Sequence, residues 1–112
     1  MDDRNVDRLL RHAIGERRLI SFLLNGCRRI GEPHDYGVHK GVPRLFFYQI
    51  GGESNSGTAL GWRWAEVPKI SQLQVLENTF AGPRLASSGA HQQWDTLFAS
   101  VALRTDDRRR SI

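Results

Sequence analysis

The 112-residue chain is predicted to fold as a mainly β domain, a small, partly open barrel of about five strands with an N-terminal α-helix and a short C-terminal helical segment. Three observations carry this. A single helical stripe at the start gives way after Arg18 to apolar residues in alternation, turn signals recur roughly every ten residues, and curling a sheet of short strands removes or shortens its exposed edges.

The helix comes first. Val6, Leu9, Leu10, Ala13 and Ile14 fall at i, i+3, i+4, i+7 and i+8, one stripe of an α-helix, which places the element at residues 3–15 with Gly15 as its stop. Arg4, Arg8 and Arg11 then lie off the stripe, on a solvated or docking face. From Arg18 the period becomes two, with Ile20, Phe22 and Leu24 on one face. Asn25-Gly26 is the strongest short hairpin signal, so Cys27 to Glu32 reads as the return strand. Gly31 suggests a bulge within it, and Pro33, which has no N–H to donate, is expected to end central pairing.

His34 to Val42, with Gly37 and Gly41, reads as a loop or second turn. Arg44 to Ile50 is the clearest strand: Leu45, Phe47 and Gln49 alternate against Phe46, Tyr48 and Ile50, and two partly apolar faces make it central. Gly51 to Gly57 lacks any apolar side chain and reads as an exposed loop rich in donors. Ala59 to Val67 follows as a strand with Trp62 and Trp64 on one face and Gly61, Arg63 and Ala65 on the other, broken by Pro68. Ile70 to Leu76 alternates again. Beyond the loop-like stretch from Gly82 to Gly89, Trp94, Leu97, Phe98 and Val101 match a helix face, while Leu97, Ala99, Val101 and Leu103 would suit a strand; the helix is the reading adopted. One domain is thus expected over residues 1–105, with the barrel at 18–77, an extension at 78–105 and a disordered tail at 106–112.

Composition narrows the function classes. Hydrophobic residues at 39% and charged residues at 25% are ordinary for a globular chain. The longest apolar run, Leu19 to Leu24, is broken by Ser21 and falls far short of the roughly 20 residues of a membrane span; no membrane partner is expected. The N-terminus has no apolar leader pattern, so a cytoplasmic location is expected. Cys27 is the only cysteine, which excludes an internal disulfide and a multi-thiolate metal site. The net charge of +4 comes almost wholly from arginine, Lys40 and Lys69 being the only lysines. Arginine makes planar, bidentate contacts to phosphate and carboxylate, so an anionic partner is expected.

The motifs resemble those of a known family. Ala13-Ile14, Ile20-Ser21-Phe22, Arg29-Ile30-Gly31-Glu32-Pro33-His34, the stretch from Leu45 to Gly51 with Tyr48, Trp62-Arg63 and Pro68-Lys69-Ile70 follow one another as in the WYL domain. The resemblance covers roughly residues 5–77. It is nearest to short, free-standing WYL-like proteins, through Pro33-His34, Tyr48-Gln49-Ile50-Gly51-Gly52, Ser54 with Ser56, and Trp62-Arg63. It implies an Sm-like barrel of the SH3-like class that binds nucleic acid or nucleotide-like anions in regulation. The chain departs from the family at its naming tripeptide, here Phe47-Tyr48-Gln49, and at Lys69, where arginine is usual. No helix-turn-helix stands beside these motifs, so a DNA-reading repressor is not implied.

The residues make a physical case of their own. If the strands pair in sequence, Arg29, Tyr48 and Arg63 converge beside the Gly51 to Gly57 loop, with His34 and Lys69 as further ligand-binding candidates. Guanidinium groups, a phenol and loop N–H donors suit a phosphate, and Trp62 or Trp64 would stack on a base. The expected ligand is a nucleotide or single-stranded nucleic acid. Arg29 paired with Glu32 or Glu66 is the structural alternative. The alternative function is a protein-interaction module working through a strand edge or aromatic groove, and edge strands leave a homo-oligomer open. No catalytic residue, metal or cofactor is assigned: Ser54, Ser56, His34 and Asp35 lack a nucleophile elbow and a buried orienting acid, and His34 and His39 supply too few converging ligands for a metal.

Overall fold

A computed structural model of the chain describes residues 3–52, 60–83 and 94–101. The predicted stripe folds as helix α1 (Asp3–Glu16), with Val6, Leu10, Ala13 and Ile14 buried. Gly15 does not stop it. Arg17 does, at a left-handed φ of 55°, and its N–H donates to the Ile14 carbonyl at 3.2 Å, closing the last turn as a residue after a helix commonly does.

Six strands follow: β1 (Arg18–Leu24), β2 (Cys27–His39), β3 (Val42–Gly52), β4 (Gly61–Glu66), β5 (Ser71–Thr79) and β6 (Thr96–Ser100), with a 3-10 turn at Val67–Lys69 between β4 and β5. They form one antiparallel sheet in the order β4-β3-β2-β1-β5, with β6 also paired to β2. Two hairpins set the register of the first three strands. At Asn25-Gly26 and again at Lys40-Gly41 both central residues have positive φ, the signature of a type I′ turn, whose twist matches that of the strands it joins.

Several expectations are corrected. Of the two readings of His34 to Val42, the second turn holds and the loop does not: β2 runs to His39, and only Lys40-Gly41 turns. Pro33 does not end the pairing. On one side β2 pairs with β3 from Arg29 to His39; on the other, β1 covers Cys27 to Gly31 and β6 covers Asp35 to Val38. Pro33 falls in the gap between β1 and β6, where no ladder asks for its missing N–H.

The expected C-terminal helix is corrected as well. Among the described residues this region forms strand β6, because the far half of β2 extends beyond β1 and offers unpaired backbone groups that a strand, not a helix, can satisfy. The partly open barrel of about five strands becomes an open sheet of six. Edge strands β4 and β5 do not pair with each other; β6 covers the long free edge of β2 instead of closure. The serines at 54 and 56, most of the 51–57 loop, residues 84–93 and the tail at 106–112 lie outside the described residues.

The core forms between α1 and one face of this sheet. Ile20, Phe22, Leu24, Tyr36, Leu45, Phe47 and Ala65 supply the sheet side, with the Phe22 and Phe47 rings edge to face at 5.2 Å. Burying each such large side chain contributes about 1.5–3 kcal/mol. Among the described residues no helix is long and apolar enough to cross a membrane.

Candidate functional site

Strand alternation assigns the candidate residues to two different faces. Arg29 pairs with Phe22 across β1 and β2, and Arg63 pairs with Phe47 across β3 and β4, so both arginines share the face that carries the core. Gln49 lies on that face too, opposite Gly31 on β2 and Gly61 on β4. Tyr48 pairs with Trp62 and with Glu32. These belong to the other face, so the expected convergence of Tyr48 with Arg29 and Arg63 is corrected: an odd offset from Phe47 turns the phenol away.

Arg29 is the most unusual of these residues. Its side chain is only 5% exposed, yet no carboxylate lies within ion-pair distance of it among the described residues. Nη1 donates to Gln49 Oε1 at 3.1 Å, and Nε is buried without a hydrogen-bond partner. Gln49, fully buried, is itself oriented, since its Nε2 donates to the Gly51 carbonyl at 3.1 Å. The two acidic residues expected to neutralise Arg29 are engaged elsewhere. Glu32 Oε1 lies 3.2 Å from His34 Nε2, and Glu66 Oε1 lies 3.5 Å from Lys69 Nζ. A guanidinium stays charged at any ordinary pH, so the fold holds a buried cation against a neutral amide.

The surroundings of this cation are narrow and built from glycine. Gly52, opposite Arg29, has a φ of 90°, and a side chain there would run into the Arg28 carbonyl oxygen. Gly61 stands opposite Gln49 on β4, and an added Cβ there would meet nothing within 4 Å among the described residues. Half-buried Arg63 stands two residues further along the same face. At Gly52 the backbone approaches closely, as glycine allows.

His34 and Lys69 are not brought to this place. His34 is fully buried on the opposite face, its ring 4.8 Å from that of Trp62 and 5.4 Å from that of Phe80. It thus joins residues from the two edges of the sheet. Lys69 is exposed in the 3-10 turn beyond the far end of β4. Trp62 and Trp64 do not stand beside the arginines either: Trp62 stacks on Phe46 at 4.8 Å, Trp64 on His39 at 4.7 Å, and both lie on the outer face with Tyr48. Among the described residues no three His, Cys, Asp or Glu side chains gather as a metal site would require.

Gln49 is a candidate site residue that the sequence alone does not assign. A signal was present, because the Leu45, Phe47, Gln49 alternation puts an amide on a core face, where it demands a partner. Together the fold and the site define a class: a helix-backed, single-sheet β domain with a buried arginine oriented by a glutamine. Set beside known proteins, the chain matches no family model, no curated protein and no solved structure.

Proposed function

We propose that this protein is a cytoplasmic regulatory binding module, not an enzyme, that takes an anionic ligand, a nucleotide or single-stranded nucleic acid, at Arg29, with Arg63 further along the same face of the sheet. The carrying observation is the buried Arg29 guanidinium with a neutral partner and an unpartnered Nε. An ion taken out of water without a counter-charge costs several kcal/mol, and a bound phosphate or carboxylate would offset that through charge-assisted hydrogen bonds. The resemblance of its motif order to that of the WYL domain supports the same reading.

The test is fluorescence anisotropy of a labelled short single-stranded oligonucleotide, titrated at several salt concentrations with the natural protein and with Arg29→Ala/Arg63→Ala. Saturable binding is expected, with log affinity falling by roughly 0.7 per phosphate contact for each unit of log salt, and the double variant should lose it. Binding indifferent to both salt and the substitutions would remove this reading. It would favour the alternative, a protein-interaction surface, for which the half-buried Tyr48, Trp62 and Trp64 on the outer face are the supporting observation.

A further inference from the structure

Within the anion-binding reading, on which this inference rests, the geometry points to a terminal phosphate, not an internal phosphodiester, as the group Arg29 receives. A guanidinium presents five N–H donors in a fixed plane. In Arg29, Nη1 is engaged by Gln49, and the edge formed by Nε and Nη2 is left; that edge offers two parallel N–H bonds to two oxygens of one anion. Its Nε end is buried in a side chain that is 5% exposed overall. An anion therefore reaches both donors only by projecting inward past the surface of the sheet.

A phosphodiester within a strand is poorly shaped for that. Two of its four oxygens carry sugars on opposite sides, which must stay outside the surface of the sheet, and it bears a single charge. A phosphomonoester hangs from one substituent, has three free oxygens and carries about −1.5 to −2 charges near neutral pH. It can enter end-on and give two oxygens to the Arg29 edge.

The stacking rings lie on the opposite face, so base contacts by Trp62 or Trp64 would not compensate for a missing phosphate. Recognition here falls on the end group of the ligand.

The experiment compares internally labelled oligonucleotides of one sequence carrying a 5′-phosphate, a 3′-phosphate or neither, on the natural protein and on Arg29→Lys. Lysine keeps the charge but has no planar fork, and a matching melting curve checks that the variant folds. One phosphorylated form is expected to bind about tenfold or more tightly than the unphosphorylated one, the ratio should fall to about 1 in Arg29→Lys, and inorganic phosphate should compete. If oligonucleotides fail to bind but a 5′-mononucleotide raises the melting temperature while its nucleoside does not, the terminal phosphate stands with a free nucleotide as its source. Equal affinity for the three oligonucleotides, with binding abolished in Arg29→Ala/Arg63→Ala, overturns the terminal phosphate and leaves the anion site intact. No binding of any form, with no shift from phosphate or mononucleotide, overturns both.

Discussion

Arg29 sits where a folding-only design would place an apolar side chain, since its neighbours on that face are Phe22 on one side and Gln49 on the other. Holding it there opposes stability, and replacing it should relieve the opposition. Arg29→Met, which keeps the stem volume and removes the charge, is expected to raise unfolding stability by about 1 kcal/mol, the gain from deleting a buried charge being partly offset by the lost hydrogen bond to Gln49. Urea denaturation measures it. A loss of several kcal/mol would mean that the guanidinium is a structural keystone and would count against a ligand site. Arg29 and Arg63 were both legible in the sequence as arginines within predicted strands. The role of Gln49 was not, because only the paired register shows that its amide faces Arg29.

At the scale of elements, β6 depends on one position of β2. Gly37 lies against a bulge in β6, and an added Cβ would run into the Thr96 carbonyl oxygen. Gly37→Ala should therefore destabilise the protein by about 1–3 kcal/mol, with hydrogen exchange accelerating first at the amides of Thr96 to Ser100; uniform acceleration across the sheet would show that β6 is not a separable unit. The β2–β3 turn makes the opposite case. Lys40 occupies a left-handed position at φ 53°, exposed, where asparagine is preferred. Lys40→Asn is expected to stabilise the hairpin by about 0.5–1 kcal/mol, read from the denaturation midpoint. The sequence left a second turn open between His34 and Val42 without placing it, because Lys-Gly is a weak hairpin signal beside Asn25-Gly26 and Pro33 argues against the strand leading to it.

On the whole molecule, α1 is fastened to the sheet by polar as well as apolar contacts. Tyr36 of β2 donates its hydroxyl to Asp7 Oδ1 at 2.7 Å, Asp7 holds Arg11 at 3.0 Å, and the Arg11 guanidinium lies 4.9 Å over the Phe98 ring of β6. Tyr36→Phe removes the hydroxyl from a largely buried ring and should lower stability by about 1.5 kcal/mol in urea denaturation; an unchanged midpoint would show that water replaces the bond without loss. The two faces of the sheet should also act separately. Trp64→Leu, on the face away from Arg29, is expected to leave phosphate affinity within about twofold, as for uncoupled sites, and a larger change would show that the outer rings take part in the anion site.

The sequence by itself determined the mainly β class, the N-terminal helix, the Asn25-Gly26 hairpin, the central strand at Arg44 to Ile50 and the two arginines, because these rest on short-range physics: side-chain period, turn chemistry and charge. Only the tertiary structure decided that Pro33 lies harmlessly in a gap, that β6 is a strand and that the sheet stays open. It also decided that Arg29 and Arg63 share a face from which Tyr48, His34 and the tryptophans are turned away. The physical reason is that a period of two divides residues into two faces without saying which residues across the sheet share each one, or which backbone edge is left free. Both follow from long-range pairing, where a single bulge such as that at His34 resets the alternation.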